Sequence, residues 1–142
     1  MTSIESKIKA LLDRRGLAAW EKDLDGLMSV FAPEVVYFDL VPPLRYTGAE
    51  ALRERFRDWF GRWRGPIGQQ ISELEVLAND HVAAAHMLVR ASGTLLDGRE
   101  VDYWVRVSDT CRRSSDGWLI THEHVSMPVD LTTRSVVMDL RP

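Results

Sequence analysis

With Cys111 as the sole cysteine in 142 residues, the chain has no second thiol for an intrachain disulfide and no partner cysteines at zinc-site spacing. A reducing, cytoplasmic setting is the default that follows. Long apolar runs are missing as well. None approaches the roughly 20 residues that span a bilayer, and the start Met1-Thr2-Ser3-Ile4-Glu5 lacks the basic and apolar regions of an export signal. No membrane partner is expected. Surplus positive charge is also lacking, since the formal net charge is −3, and no nucleic-acid partner is expected either. The local run of Arg53, Arg55, Arg57, Arg62 and Arg64 is interleaved with Glu50, Glu54 and Asp58, which reads as a solvated helix face. Internal repeats, low-complexity tracts and linkers are absent, so residues 1–142 read as a single domain.

What is present is an ordinary globular composition, 45% apolar and 27% charged, in a chain long enough to bury a core. Ile4, Ile8, Leu11 and Leu12 keep the spacing of an amphipathic helix, with Thr2 or Ser3 as its cap and Gly16 an irregularity near its end. Asp23 opens a second, short helix through Leu24, Leu27, Met28 and Phe31, and Pro33 stops it near Ala32. Val35 to Leu40 is β-branched and aromatic, a strand with Val35, Tyr37 and Asp39 on one face. From Ala49 to Trp63, a stripe of Leu52, Phe56, Trp59, Phe60 and Trp63 predicts a third helix. The rest reads as strands: Gln70 to Leu77, His81 to Leu95, Glu100 to Arg112 and Trp118 to Ser126, with turns at Asn79-Asp80, Asp97-Gly98 and Ser115-Asp116-Gly117. Leu131 to Pro142 is expected to be an edge extension or loosely held. Helices first and an antiparallel meander after them give an α+β fold.

This order resembles the NTF2-like superfamily, which includes ketosteroid isomerases and SnoaL-type polyketide cyclases. Two segments carry the resemblance. Asp23-Leu24-Asp25-Gly26-Leu27, running through Phe31-Ala32-Pro33-Glu34 into Phe38-Asp39, is similar to the family's second helix and first strand. Asp116-Gly117-Trp118-Leu119-Ile120, leading to His122-Glu123-His124, is similar to its closing strand. The resemblance implies a cone, with N-terminal helices packed on a curved, mainly antiparallel sheet around a pocket.

It also implies a role for Asp39, which stands where the isomerases carry their proton-abstracting aspartate. On the inward face of an apolar cup a carboxylate is partly desolvated and a stronger base toward a weakly acidic C–H. A carboxylate ending a strand before Pro42-Pro43 can equally be solvated or cap a turn, and the residues leave both readings open. Where the isomerases place an oxyanion-binding tyrosine on the first helix, the aligned residue here is Arg15, which argues against a steroid isomerase. Their second donor, an acid on a later strand, falls at Ser108 or Asp109.

Period-two alternation along the closing strand sets Trp118, Ile120, His122, His124 and Ser126 on one face and Leu119, Thr121, Glu123 and Val125 on the other. On the preceding strand Tyr103, Val105 and Val107 alternate with Trp104, Arg106 and Ser108. Taking the mixed faces as the pocket wall brings Trp104, Arg106, His122, His124 and Ser126 toward Tyr37 and Asp39, with Trp59 lining the cup. The competing reading pairs Arg106 with Glu123 or Glu100 and has the histidines satisfy buried backbone groups. His122 and His124 have metal-ligand chemistry, but a site needs a third protein ligand and only Asp39 offers itself, so neither metal nor cofactor is expected. The apolar face with Val105, Val107 and Val125, if outward, leaves a patch that a homodimer would bury.

These features point to binding of a small, largely apolar organic molecule. They also point to cofactor-independent proton transfer of the isomerase, cyclase or dehydratase type, with Asp39 as base and His124, Arg106 or Tyr37 polarising the oxygen. A non-catalytic ligand-binding or dimerisation module on the same fold is the alternative.

Overall fold

A computed structural model describes residues 3–142. Its helices are α1 (Ile4–Glu21), α2 (Leu24–Met28) and α3 (Ala49–Gly61). Its strands are β1 (Phe31–Phe38), β2 (Tyr46–Thr47), β3 (Trp63–Ala78), β4 (Val82–Leu95), β5 (Glu100–Ser114), β6 (Gly117–Ser126), β7 (Val129–Asp130) and β8 (Ser135–Val136). No helix among the described residues is long and apolar enough to cross a membrane.

Ser3 caps α1, its hydroxyl accepting from the Ser6 N–H at 3.1 Å and so satisfying a donor that the first helical turn leaves free. Thr2, the other expected cap, lies outside the described residues. The helix runs through Gly16 unbroken and closes at Lys22 in the left-handed region, φ 53°. Asp23 then caps α2 by accepting from the Gly26 N–H at 3.0 Å. This second helix ends at Met28, short of the expected Ala32, because Phe31 is the first residue of β1. The neighbouring Val30 carbonyl already accepts from the Ile120 N–H at 2.8 Å. Leu52, Phe56 and Phe60 form the buried stripe of α3, whereas Trp63, expected on the same stripe, opens β3 and pairs with Leu95.

The main sheet has the order β2-β1-β6-β5-β4-β3. All its pairings are antiparallel except β1 with β6. Four breaks in register bend it: one in β1 between Phe31 and Val36, two in β3, between Arg64 and Gly68 and between Ser72 and Glu75, and one in β6 between Ile120 and His122, opposite Thr110 and Cys111. Extra residues of this kind kink a strand and increase its twist. The result is a curved sheet that wraps around α1 and α3. Pro33, with no N–H for a ladder, sits in the first of those breaks. The chain end makes a separate two-stranded ribbon of β7 and β8 rather than extending the sheet edge.

One close approach shapes the mouth end of the sheet. At Gly93, φ 154°, a Cβ would stand 2.9 Å from the Trp63 ring and 3.0 Å from the Pro66 carbonyl oxygen. Overpacking of this kind typically costs about 1–3 kcal/mol. Gly93→Ala is therefore expected to lower the urea midpoint by a corresponding amount, and an unchanged midpoint would show that the Trp63 ring gives way freely.

Candidate functional site

The curved sheet closes with α1 and α3 around a cavity of about 550 Å³. Its walls are apolar: Ile71, Met87, Val89, Val105, Val107 and Val125 from the strands, with Leu12, Phe56, Trp59 and Trp63 opposite. On β5 the inward set is Tyr103, Val105, Val107 and Asp109, a period-two series that begins with a phenol and ends with an acid. On β6 the inward set is Glu123 and Val125.

At one end, polar side chains form a connected floor. Arg15, on the turn of α1 that follows Leu11 and Leu12, donates from Nε to Glu123 Oε1 at 2.9 Å and from Nη2 to Glu123 Oε2 at 2.6 Å. Its Nη1 donates to Gln69 Oε1 at 2.7 Å. The guanidinium lies 5.8 Å from the centroids of both Phe31 and Phe56, a desolvated cation over two rings. Burial alone would lower the Arg15 pKa, but Glu123 foremost, with Tyr37 and Asp109, outweighs it and the net shift is upward. Tyr37, directly paired with Glu123 across β1 and β6, is raised well above its ordinary value by burial and next by the Glu123 charge. Its hydroxyl therefore stays protonated.

Asp109 faces Glu123 across the β5–β6 ladder. It is 2% exposed, and neither of its carboxyl oxygens has a hydrogen-bond partner among the described residues. Burial first, and then the charge of Glu123, raise its pKa well above the carboxylate range. Arg15, the cation of this floor, is already matched by Glu123, so Asp109 is held as a neutral acid on the lining of the apolar cup, its O–H within reach of the Glu123 carboxylate as well as of the cavity. The same surroundings, burial first and then Asp109 and Glu123, push the Cys111 thiol up to about 12, which leaves it an inert filler.

Asp39 also lines the cavity. It follows β1 one same-face step beyond Tyr37, about 7 Å along the strand direction. Arg55 from α3 donates from Nε to Asp39 Oδ2 at 2.7 Å, and the Leu40 N–H donates to Oδ1 at 2.6 Å. Side-chain exposures of 14% for Arg55 and 8% for Asp39 place this pair inside the rim rather than in open solvent. Tyr103, raised by burial and next by Asp39, lines the same end.

Tyr37, Asp39 and Trp59 thus share the cavity, but Trp104, Arg106, His122, His124 and Ser126 do not. Arg106 donates to Ser126 Oγ at 3.1 Å on the opposite face of the sheet and pairs with neither Glu123 nor Glu100. His122 Nδ1 donates to the Val36 carbonyl at 2.7 Å, and the His122 and His124 rings stack edgewise on Phe38, centroids 4.7 and 5.4 Å away. Trp104 pairs with Arg90 on that same outer face. Two physical causes explain the reversal. The register between β5 and β6 skips at Thr121, with Thr110 opposite His122 and Cys111 opposite Ile120, so Trp118 and Ile120 share the inner side with Glu123 and Val125 instead of with the histidines. Moreover, the apolar face of β5 is the one that must hide, so it lines the cup and leaves the mixed face outside.

The same finding removes the patch on which the homodimer expectation rested, since Val105, Val107 and Val125 are 5%, 8% and 9% exposed and point inward. Among the described residues no three His, Cys, Asp or Glu side chains are grouped to hold a metal ion. Glu123 was missing from the expected site, and Asp109 entered only through the resemblance, as one of two placements with Ser108, although the residues themselves carry a signal. Continuing the Tyr103, Val105, Val107 alternation by one step reaches Asp109, and an acid at the end of an apolar face is the anomaly worth following.

Among solved structures the chain is similar to an NTF2-like protein of unknown function from Pseudomonas putida KT2440, with 30% identity, 97% of this chain and 96% of that chain covered, and a TM-score of 0.88. It is similar to a protein from Novosphingobium aromaticivorans, provisionally named an aromatic ring hydroxylase, with 24% identity, 90% and 94% coverage and a TM-score of 0.78. It is also similar to a provisionally named dehydratase of the NTF2-like family from Streptomyces avermitilis, with 15% identity, 87% and 95% coverage and a TM-score of 0.78. The last two carry the fold alone. Fold and cup together define an NTF2-like cone. Residues 8–130 match the SnoaL-like domain, and the chain belongs to that family. Among curated proteins none matches the sequence.

Proposed function

We propose that the cone binds a small, largely apolar organic molecule through a carbonyl oxygen that accepts a hydrogen bond from Asp109, and that it catalyses cofactor-independent proton transfer on that molecule. The observation that carries this reading is the neutral Asp109 carboxyl, 2% exposed on the lining of an apolar cavity of about 550 Å³, a size suited to a ligand of ordinary drug dimensions. A donor already in place and shielded from water binds an oxygen more tightly as negative charge develops on it. Asp39 supplies the carboxylate. It takes a proton from the carbon next to the carbonyl, the C–H electron pair moves toward the oxygen, Asp109 stabilises the resulting enolate, and the proton returns at a different position. Burial and the Glu123 charge keep Asp109 neutral against the opposing pull of Arg15, and the Arg15–Glu123 pair holds the floor rigid.

A second reading, binding without turnover, is favoured by the fact that both Asp39 oxygens already accept hydrogen bonds, from Arg55 and Leu40. Asp109→Leu and Asp39→Asn separate the two. On titration with 2-acetylnaphthalene and 2-ethylnaphthalene, the wild type is expected to prefer the ketone by about tenfold, the value of one good hydrogen bond. That preference should disappear in Asp109→Leu, whose side chain has no donor, and persist in Asp39→Asn. Any proton exchange into the acetyl methyl group, followed by NMR in deuterated buffer, should vanish in Asp39→Asn. Exchange at the wild-type rate in that variant would remove Asp39 as base, and no ketone preference in the wild type would sink the Asp109 reading.

A further inference from the structure

The far end of the cup holds a second polar group that the proton-transfer reading uses only in part. Tyr103, Arg55 and Asp39 all line the cavity. The Arg55 Nε is engaged by Asp39 at 2.7 Å, while its Nη1 is 3.8 Å from Asp58, beyond hydrogen-bond range. Asp39 uses one acceptor position on each oxygen, out of about four that a carboxylate offers. The Tyr103 hydroxyl forms no hydrogen bond with the described residues. Spare donors from a guanidinium and a phenol therefore stand beside a carboxylate with spare acceptor capacity.

We propose that this group is a hydroxyl-reading subsite, so that the ligand is a largely apolar compound with a carbonyl at the Asp109 end and a hydroxyl at the Tyr103–Arg55–Asp39 end. The inference rests on the proposed binding role of the cup and adds the class of compound to it, in the form without turnover, since an Asp39 that accepts the hydroxyl does not stand at the carbon next to the carbonyl. Charge selects the hydroxyl. The Asp39–Arg55 pair is neutral as a unit, so a ligand carboxylate would meet Asp39 and a ligand ammonium would meet Arg55 without water to screen either. A hydroxyl accepts from Tyr103 or Arg55 and donates to Asp39, satisfying both sides at once. The valine and methionine walls between the two ends offer no polar partner, which makes the intervening skeleton hydrocarbon.

Fluorescence titration of the wild-type protein with naphthalene, 2-methoxynaphthalene and 2-naphthol tests the subsite without any carbonyl. 2-Naphthol is expected to bind about tenfold tighter than the methyl ether, which accepts but cannot donate. Asp39→Ala should shrink that preference to about twofold, Tyr103→Phe should weaken naphthol and the ether alike while leaving naphthalene binding unchanged, and Asp109→Leu should leave the preference intact. Equal affinity for naphthol and its ether overturns the subsite, as does a preference that survives Asp39→Ala or is lost in Asp109→Leu, or oxygen ligands that bind Tyr103→Phe as tightly as the wild type. Failure of the ketone preference alone overturns the carbonyl end and leaves the hydroxyl end standing. Binding of none of the naphthalenes overturns both.

Discussion

Replacing Arg15 with methionine is expected to lower the free energy of unfolding by about 3–5 kcal/mol, the range for stripping one partner from a buried ion pair. Glu123 is fully buried and Arg15 is 11% exposed at its side chain, so little solvent screening reduces the effect. Methionine keeps most of the length and packs against Phe31 and Phe56, which confines the loss to the charge and its hydrogen bonds to Glu123 and Gln69. The double variant Arg15→Met, Glu123→Leu removes the stranded carboxylate as well and should recover most of the stability, because an apolar replacement of a whole buried pair is often neutral or better. Urea denaturation of the wild type and both variants at pH 7 checks this. A single variant within 1 kcal/mol of wild type, by an estimate well below the usual range, would mean that Glu123 reaches water or another cation.

The architecture was legible because its local signals agree with one another. Helical spacing at Ile8, Leu11 and Leu12 and at Leu52, Phe56 and Phe60 matches the buried residues of α1 and α3, and the turn residues punctuate the long strands close to where they end. Element borders slipped where tertiary pairing overrode local pattern, as at Phe31 and Trp63, each of which a helical stripe claimed and a strand took. The candidate site was only half legible. Tyr37 and Asp39 alternate without interruption, and the structure puts both on the cavity. Beyond Thr121 a single skipped residue reverses which side chains face inward, and strict period-two reading cannot register that. The Arg15–Glu123 pair spans 108 positions in sequence. Only the docking of α1 on the sheet joins its members, and neither residue type announces the other.

The stability of the wild type is expected to fall with pH relative to Asp109→Asn from about pH 4 upward, and the sign follows from where the proton sits. In the unfolded chain Asp109 ionises around its ordinary value of 3.8, whereas burial and Glu123 make the folded state keep the proton to much higher pH. Above the unfolded value the native state therefore binds one proton more than the unfolded state. The slope of unfolding free energy with pH is then negative, about −1.4 kcal/mol per pH unit for one proton at room temperature. The stabilisation is fully present below the unfolded value and is lost as pH rises through the folded one. Asparagine has nearly the same shape and no proton to exchange, so its curve lacks this component, and the difference between the two proteins isolates the Asp109–Glu123 pair from the other titrating groups. Urea unfolding at pH 4, 5, 6 and 7 gives that difference directly. Parallel curves would mean that Asp109 is ionised in the fold, and a charged Asp109 beside Glu123 could not donate the hydrogen bond on which ligand binding in the cup is argued to depend.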